Sequence, residues 1–204
     1  IRDRYKVFDK CFTDLKKHFE GVKKIIWERK MRRIVTGHNK EGKSIINIDG
    51  PPARSLGEDV GGLFELWNTD GKDVNSLDTT DRADSEVILS PPSGGTKFRY
   101  FQINPLPEGV SPEFIEQATA DAFEKMGAAH HRVDTSRHPA MHKTETVDYI
   151  ILLKGEVTLI LDEEEVALKP FDVVVQRGTN HAWANNGSEP ALLIAVLIDS
   201  NIRE

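Results

Sequence analysis

The fold is decided by one stretch, residues 142–185, which reads HKTETVDYIILLKGEVTLILDEEEVALKPFDVVVQRGTNHAWAN. Within it, short runs rich in Val, Ile and Leu alternate with turns that contain Gly, Pro, Asp or Asn. These runs lie at residues 150–153, 157–161, 166–168 and 173–175. Short strands broken by turns at this spacing are typical of an antiparallel barrel or sandwich. We therefore predict a mainly β fold.

The strand that opens this stretch carries polar side chains on both of its faces. Side chains of equal parity point to the same side of a β-strand. His142, Thr144 and Asp148 therefore share one face, and Lys143 and Glu145 lie on the other. The two charged residues indicate that their own face is in water, so His142 and Asp148 should face the interior. A buried imidazole and a buried carboxylate are costly unless they are paired, hydrogen-bonded or bound to a metal.

A second histidine, His181, follows a glycine-bearing turn and can reach the same interior position. Two histidines and one carboxylate with open positions form the arrangement that holds Fe(II) and related divalent ions. A metal site at His142, Asp148 and His181 is therefore our prediction. The residues alone leave two alternatives, which are an internal His–Asp–His hydrogen-bond cluster around a metal-free pocket and plain core histidines.

Two patterns in the stretch resemble the two motifs of the cupin family. His142-x-Thr144-x3-Asp148-x6-Gly155 is similar to the first, and Gln176-x-Gly178-x2-His181-x3-Asn185 is similar to the second. The resemblance covers about residues 135–200. It implies an antiparallel jelly-roll barrel, also called a double-stranded β-helix, of the single-domain cupin 2 type. Cupins usually have His where Thr144 stands and Glu where Asp148 stands, so the first motif is an HxTxTxDY variant.

The resemblance implies that His142 and His181 are metal ligands and that Asp148 replaces the usual glutamate ligand. The ion would be a divalent transition metal, namely Fe, Zn, Mn or Ni. Asp148 and His181 are also predicted to be catalytic, because a carboxylate or an imidazole beside the ion can move a proton.

Three further residues are predicted to bind the substrate. Thr144 offers only a neutral hydroxyl, which is a poor ligand for a divalent metal, so it should contact substrate or leave a coordination position to water. Trp183 shares its parity with His181 and should line the pocket. His138 lies just before the first motif, where it could border the mouth of the barrel.

The chain divides into four predicted segments. These are an N-terminal amphipathic helix (1–32), strands that extend the barrel (33–110), a second helix (111–127) and the cupin barrel core (128–204). The second helix is predicted from Ser111 as its N-cap, with Pro at the next position, and from Gly127 as its stop.

Charge is divided unevenly along the chain. Residues 1–33 carry 12 Lys and Arg and 5 Asp and Glu, a net of +7, whereas the remainder carries 15 and 28, a net of −13. A basic segment of this kind can contact nucleic acid or a membrane, or it can dock on the acidic barrel of its own chain or of a partner. We favour docking, because no nucleic-acid motif is present. The expected partners are a small-molecule ligand and a second copy in a homodimer, with no nucleic acid and no membrane.

The composition is that of an ordinary globular protein of 204 residues, with a single cysteine, Cys11. No apolar run of about 18 residues and no signal-peptide pattern are present, so we expect a cytoplasmic protein. Two function classes remain open. The first is a metal-dependent enzyme that acts on a small oxygenated carbonyl or aromatic, polyketide-like compound, as a dehydratase, isomerase or decarboxylase, or as a dioxygenase with Fe(II). The second is a small-molecule-binding cupin without turnover.

Overall fold

The computed structural model describes residues 31–58, 61–72, 75–106 and 108–203. The predicted N-terminal helix lies outside these residues except for its last two positions. The described residues form eleven strands, one α-helix and one short 3-10 helix. No helix among them is long and apolar enough to cross a membrane. The predicted mainly β fold is confirmed.

The strands fall on both sides of the single α-helix of the described residues. Five precede it: β1 (Arg33–His38), β2 (Ser44–Gly50), β3 (Arg54–Leu56), β4 (Gly61–Thr69) and β5 (Thr96–Ile103). Then come α1 (Pro112–Lys125) and the 3-10 helix (Ala129–His131). Six strands follow: β6 (Thr146–Lys154), β7 (Val157–Leu161), β8 (Glu165–Leu168), β9 (Val173–Arg177), β10 (His181–Ala184) and β11 (Ala191–Asp199).

The strands form three antiparallel sheets. One sheet has six strands in the order β3-β4-β5-β11-β6-β9, a second has three in the order β10-β7-β8, and β1 pairs with β2. The six-stranded sheet crosses the predicted segment boundaries, because β5 pairs along its whole length with β11. The N-terminal strands are therefore part of the same sheet as the barrel strands.

The apolar core lies between the six-stranded and three-stranded sheets. Leu152 and Leu193 of the larger sheet are fully buried there, together with Val157, Leu159 and Leu168 of the smaller one. Burial of apolar surface of this kind is the main favourable term in folding. The sheets thus enclose a barrel interior, and any polar group on an inner face lies in a low-dielectric environment.

The predicted parity of β6 is confirmed. Thr146, Asp148, Ile150 and Leu152 are buried, and Tyr149 between them is exposed. The strand itself begins at Thr146, four residues later than predicted.

The residues before β6 are irregular because their backbone groups bond elsewhere. The amide of Lys143 donates to the carbonyl of His131, and the carbonyl of Glu145 accepts from Ser200. Of the residues just before β6, His142 retains strand-like pairing, in an isolated antiparallel bridge with His181.

The second predicted helix is confirmed as α1. The Ser111 side chain accepts a hydrogen bond from the amide of Phe114 at 3.2 Å, as an N-cap does. Gly127, just beyond the helix, has φ of 63°, the left-handed conformation that glycine adopts most readily. Phe123 is the buried residue of α1, and its ring packs against His142. The helix therefore covers the end of the barrel where the two motifs meet.

Candidate functional site

His142 and His181 meet at the end of the barrel beneath α1. Their main chains exchange two hydrogen bonds of 2.9 Å, and their rings lie with centroids 4.3 Å apart. Each ring also has an aromatic neighbour. Phe123 lies 5.0 Å from His142, and Trp183 lies 5.6 Å from His181. The predicted convergence of the two histidines is therefore present in the structure.

Hydrogen bonds fix the tautomer of both imidazoles. Nδ1 of His142 lies 2.9 Å from the carbonyl oxygen of Ala140, and Nδ1 of His181 lies 3.0 Å from that of Thr179. A carbonyl oxygen can only accept, so each Nδ1 carries the hydrogen and each Nε2 keeps its lone pair. Burial lowers the pKa of His142 to about 4 and that of His181 to about 3. Both rings are therefore neutral at pH 7.

Asp148 belongs to a different sheet from His181. It is buried in the middle of the inner face of the six-stranded sheet, opposite Gln176 on β9 and Leu197 on β11. Burial raises the pKa of Asp148 to about 6, against the opposing effects of a hydrogen bond from Thr146 and the charge of Arg99. Its Oδ1 atom is buried and has no hydrogen-bond partner.

The predicted metal ligands are brought together only in part. The Nδ1–H bonds to carbonyl groups leave both Nε2 atoms oriented as metal-ligating histidines usually are. Asp148 does not join them. Across the described ranges, no group of three or more His, Cys, Asp or Glu side chains could hold a metal ion. The residues therefore do not fit the predicted three-ligand site, and the proposed mechanism contains no metal-dependent step.

Beside Asp148 lies a cluster of buried charges that the sequence analysis missed. Glu65, Lys97 and Arg99 are exposed by only 1%, 2% and 2%. The register explains their proximity, because Glu65 pairs with Arg99 and Leu197 stands between Lys97 and Asp148. We call Glu65, Lys97, Arg99 and Asp148 the interior charge cluster. It contains two cations and two anions.

The interior charge cluster is incompletely hydrogen-bonded. Nη2 of Arg99 donates to the carbonyl of Ile88 at 2.8 Å and lies 2.9 Å from Oε1 of Glu65 in an ion pair. The carboxylate of Glu65 also lies 3.9 Å from Lys97 Nζ, so both of its oxygens are in ion pairs. Several other buried atoms of the cluster and of its neighbour Asn68 have no hydrogen-bond partner, namely Arg99 Nε and Nη1, Asp148 Oδ1 and Asn68 Oδ1. Each buried polar atom of this kind costs about 1–3 kcal/mol. Such a concentration is typical of a functional site rather than of a structural core.

The predicted substrate-binding residues have different surroundings, and Trp183 alone has a ring contact with His181. Thr144 is buried, and its hydroxyl lies 2.7 Å from that of Thr146. Trp183 is half-buried against the apolar core, with Phe101 at 6.0 Å. Nδ1 of His138 accepts the amide hydrogen of Ala140 at 3.1 Å. Thr144 therefore continues the hydrogen-bonded series from Asp148 through Thr146.

A cleft with a volume of about 590 Å³ opens next to this series. Thr144 and Thr146 line it, together with the Ser90 hydroxyl and the His131 ring, which are joined by a hydrogen bond of 2.9 Å. Ile88, whose carbonyl binds Arg99, lines the same cleft. The cleft thus abuts the interior charge cluster at Thr146 and at Ile88. A space of this size suits a small molecule.

The sequence contains a pattern that indicates an inward-facing Arg99. Lys97 and Arg99 share the parity of Phe101 in the run KFRYFQI, so cations alternate with aromatic residues on one strand. Charged residues on the same face as a core aromatic point inward, because residues i and i+2 share a face. Glu65 could not be assigned in the same way, because the register shift between Glu65 and Trp67 breaks the regular alternation of side chains along β4.

Residues 130–197 match the family described as Cupin domain, Cupin_2. The matched part of the chain, which runs from the 3-10 helix into β11, is similar to a cupin domain. The HxTxTxDY form of its first motif stays a prediction.

Curated relatives share low identity with the chain over most of its length. The phomopsin biosynthesis cluster protein C' of Diaporthe leptostromiformis is 29% identical over 166 residues, which cover 77% of this chain and 71% of the relative. The cupin-domain-containing oxidoreductase fogC of Aspergillus ruber is 27% identical over 177 residues, which cover 83% and 72%. Among solved structures, the Cnp3 cupin domain of Schizosaccharomyces pombe aligns with a TM-score of 0.43 and 11% identity, covering 84% of this chain and 90% of that domain.

Proposed function

We propose that this protein is a cupin enzyme of secondary metabolism that moves a proton in a small oxygenated carbonyl compound. Isomerisation, dehydration and decarboxylation are reactions of this class. The setting in secondary metabolism is supported by the name of one relative, a phomopsin biosynthesis cluster protein. The proton-transfer chemistry is supported by the barrel interior.

The environment of the Asp148 carboxyl group is the observation that carries the proposal. Its carboxyl group is buried, Oδ1 has no hydrogen-bond partner, and burial raises its pKa to about 6. A general base is most effective when its pKa lies near the working pH. Asp148 accepts the proton from the carbon next to the substrate carbonyl, and the Arg99 cation stabilises the negative charge that develops on the carbonyl oxygen.

The neighbouring side chains hold the substrate in place. The neutral His181 ring, with its low pKa, is a weak base, so its Nε2 lone pair accepts a hydrogen bond from a substrate hydroxyl rather than a proton. Thr144 donates to Thr146, which donates to Asp148, and this series leads from the cleft to the base. Trp183 lines the apolar side of the site, and His138 lines its polar side. Closing the site to water strengthens each of these electrostatic interactions.

Deuterium exchange tests the proposed function. The purified protein is incubated in D2O with pyruvate, levulinate and acetylacetone, and loss of the C–H signal next to the carbonyl is followed by NMR. We expect catalysed exchange with at least one probe, and a decrease of about 100-fold in Asp148→Asn. Glu163→Gln, which changes an exposed carboxylate at a hairpin tip, is the matched control. Exchange no faster than in buffer, or equal exchange in Asp148→Asn, would refute the proposal.

A metal-dependent oxidoreductase is the second candidate. The name of the relative fogC and the two free Nε2 lone pairs of His142 and His181 favour it. These two residues would hold a divalent transition metal, which would supply redox or Lewis-acid chemistry. A cupin that binds a small molecule without turnover is the alternative if every probe binds and none exchanges.

A further inference from the structure

We propose that Arg99 selects the substrate of the barrel site and that this substrate carries a carboxylate group near its carbonyl. The inference rests on the proposed function, because it concerns the same site. It names a chemical class, the small keto or hydroxy acids, and a specificity-determining residue.

The position of Arg99 is fixed by its two contacts. Nη2 is held between Glu65 Oε1 at 2.9 Å and the carbonyl of Ile88 at 2.8 Å. The guanidinium is planar, so anchoring one nitrogen at two points also sets the direction of the other N–H groups. The side chain is almost fully buried. Arg99 is therefore preorganised rather than free to fold away from a ligand.

The two remaining nitrogens of Arg99 lack acceptors. Nε and Nη1 are buried and have no hydrogen-bond partner. A guanidinium stays protonated and has donors only, so what it lacks is an acceptor, and the strongest acceptor for it is an anion. Carboxylate oxygens match guanidinium geometry particularly well. A substrate carboxylate would supply the two acceptors that Nε and Nη1 of Arg99 lack in the protein.

The surroundings of Arg99 indicate what else the ligand carries. Asp148 Oδ1 and Asn68 Oδ1 are buried acceptors without donors, which suits a ligand with a hydroxyl or enol hydrogen. Ala195, which has a small side chain, lies next to Arg99 in the sheet. A short acid with an oxygenated carbon close to its carboxylate meets these requirements together.

Binding of a matched pair of probes tests the inference. Levulinate is a keto acid, and methyl levulinate is its neutral ester with the same carbonyl. By calorimetry we expect levulinate to bind the wild-type protein at least about tenfold more tightly than the ester. Arg99→Lys should remove this preference, because an ammonium lacks the planar donors. Arg54→Lys, the same substitution at an exposed ion pair with Asp84, should keep it. Equal binding of the two probes, or no binding of the acid, would overturn the inference.

A measurement on the wild-type protein covers the case in which Arg99→Lys fails to fold. The Nε–H resonance of Arg99 in 15N-labelled protein should shift with levulinate and stay in place with the ester. No shift with the acid would overturn the inference. The readout needs no turnover, so the two proposals fail separately. Selective binding without deuterium exchange would refute only the proposed function, and exchange of acid and ester at equal rates and affinities would refute only the role of Arg99.

Discussion

The imidazoles of His142 and His181 lie with ring centroids 4.3 Å apart, and each donates its Nδ1 hydrogen to a backbone carbonyl two residues earlier. This arrangement holds two neutral imidazoles close together, with their ring planes at 45° to each other. A positive charge on His181 is disfavoured in this position, because its pKa is lowered first by burial and then by the neighbouring His142.

The histidine pair should make the protein sensitive to acid. The pKa of His181 is about 3 in the folded state and about 6.5 when unfolded, so the unfolded chain binds more protons between these values. Stability from this group is fully present above pH 6.5 and is lost as the pH falls towards 3. Between about pH 5 and 6, the slope of unfolding free energy against pH should be about 1.4 kcal/mol per unit smaller in His181→Gln than in the wild type. Urea unfolding at several pH values measures both slopes, and identical slopes would contradict the buried neutral ring.

Asp148→Asn should stabilise the protein at pH 7 while it removes the proposed base. The folded-state pKa of Asp148 is about 6, above its ordinary value of 3.8. Its contribution to stability is therefore fully present below pH 3.8 and is lost as the pH rises through 6. An amide is not charged at any of these pH values, so we expect a gain of about 1–3 kcal/mol at pH 7 and a smaller change at pH 4. A loss of stability at pH 7 would show that the ionised carboxylate is well solvated in the folded protein.

Phe123→Ala should loosen the cover of the site. The ring is buried, packs on His142 at 5.0 Å and lies under the Arg132 guanidinium at 5.9 Å. Removing it should cost about 3 kcal/mol and should let water reach His142, whose pKa should then rise from about 4. Urea unfolding and histidine NMR titration measure the two effects. Phe114→Ala, on the same helix but not fully buried, is the control and should leave the pKa of His142 unchanged.

Metal binding should be weak if the two histidines act without Asp148. We expect Fe, Zn, Mn or Ni in protein purified without chelator to be removable by dialysis against EDTA, with the thermal unfolding midpoint nearly unchanged. Elemental analysis before and after dialysis checks this. One tightly held ion per chain that disappears in His181→Ala would instead show that the predicted three-ligand site forms in solution.

The predicted homodimer has a candidate interface on the outer face of the six-stranded sheet. Val175, Tyr149 and Phe98 lie there in one row, each at least 36% exposed, with Val196 between the last two. Contiguous exposed apolar surface of this kind marks association sites. We expect light scattering to give twice the 22.9 kDa chain mass and Val175→Glu to give a monomer. A monomeric wild-type protein would contradict the predicted homodimer. The predicted cytoplasmic location is independent of this result and is tested separately in cells.

The sequence by itself determined the elements that depend on local rules. Alternation along β6 correctly placed Asp148 inside and Tyr149 outside, because parity follows from the pleat of a single strand. The N-cap at Ser111 and the stop at Gly127 bounded α1 for equally local reasons. The spacing of the motifs that contain His142 and His181 also predicted that the two side chains lie close together, because similar motifs adopt a similar arrangement in a known barrel fold.

Only the tertiary structure decided what the site contains. Asp148 is separated from the histidines and joined to Arg99 and Glu65 because strands distant in sequence are neighbours in the sheet. That order depends on the pairing of β5 with β11, which no local pattern specifies. The register shift in β4 between Glu65 and Trp67 lets Glu65 and Asn68, which differ in parity, both lie in the interior, because a single-residue shift reverses every side chain beyond it. The stretch from His142 to Asn185 therefore determined the barrel, whereas the charges inside it come largely from strands outside that stretch.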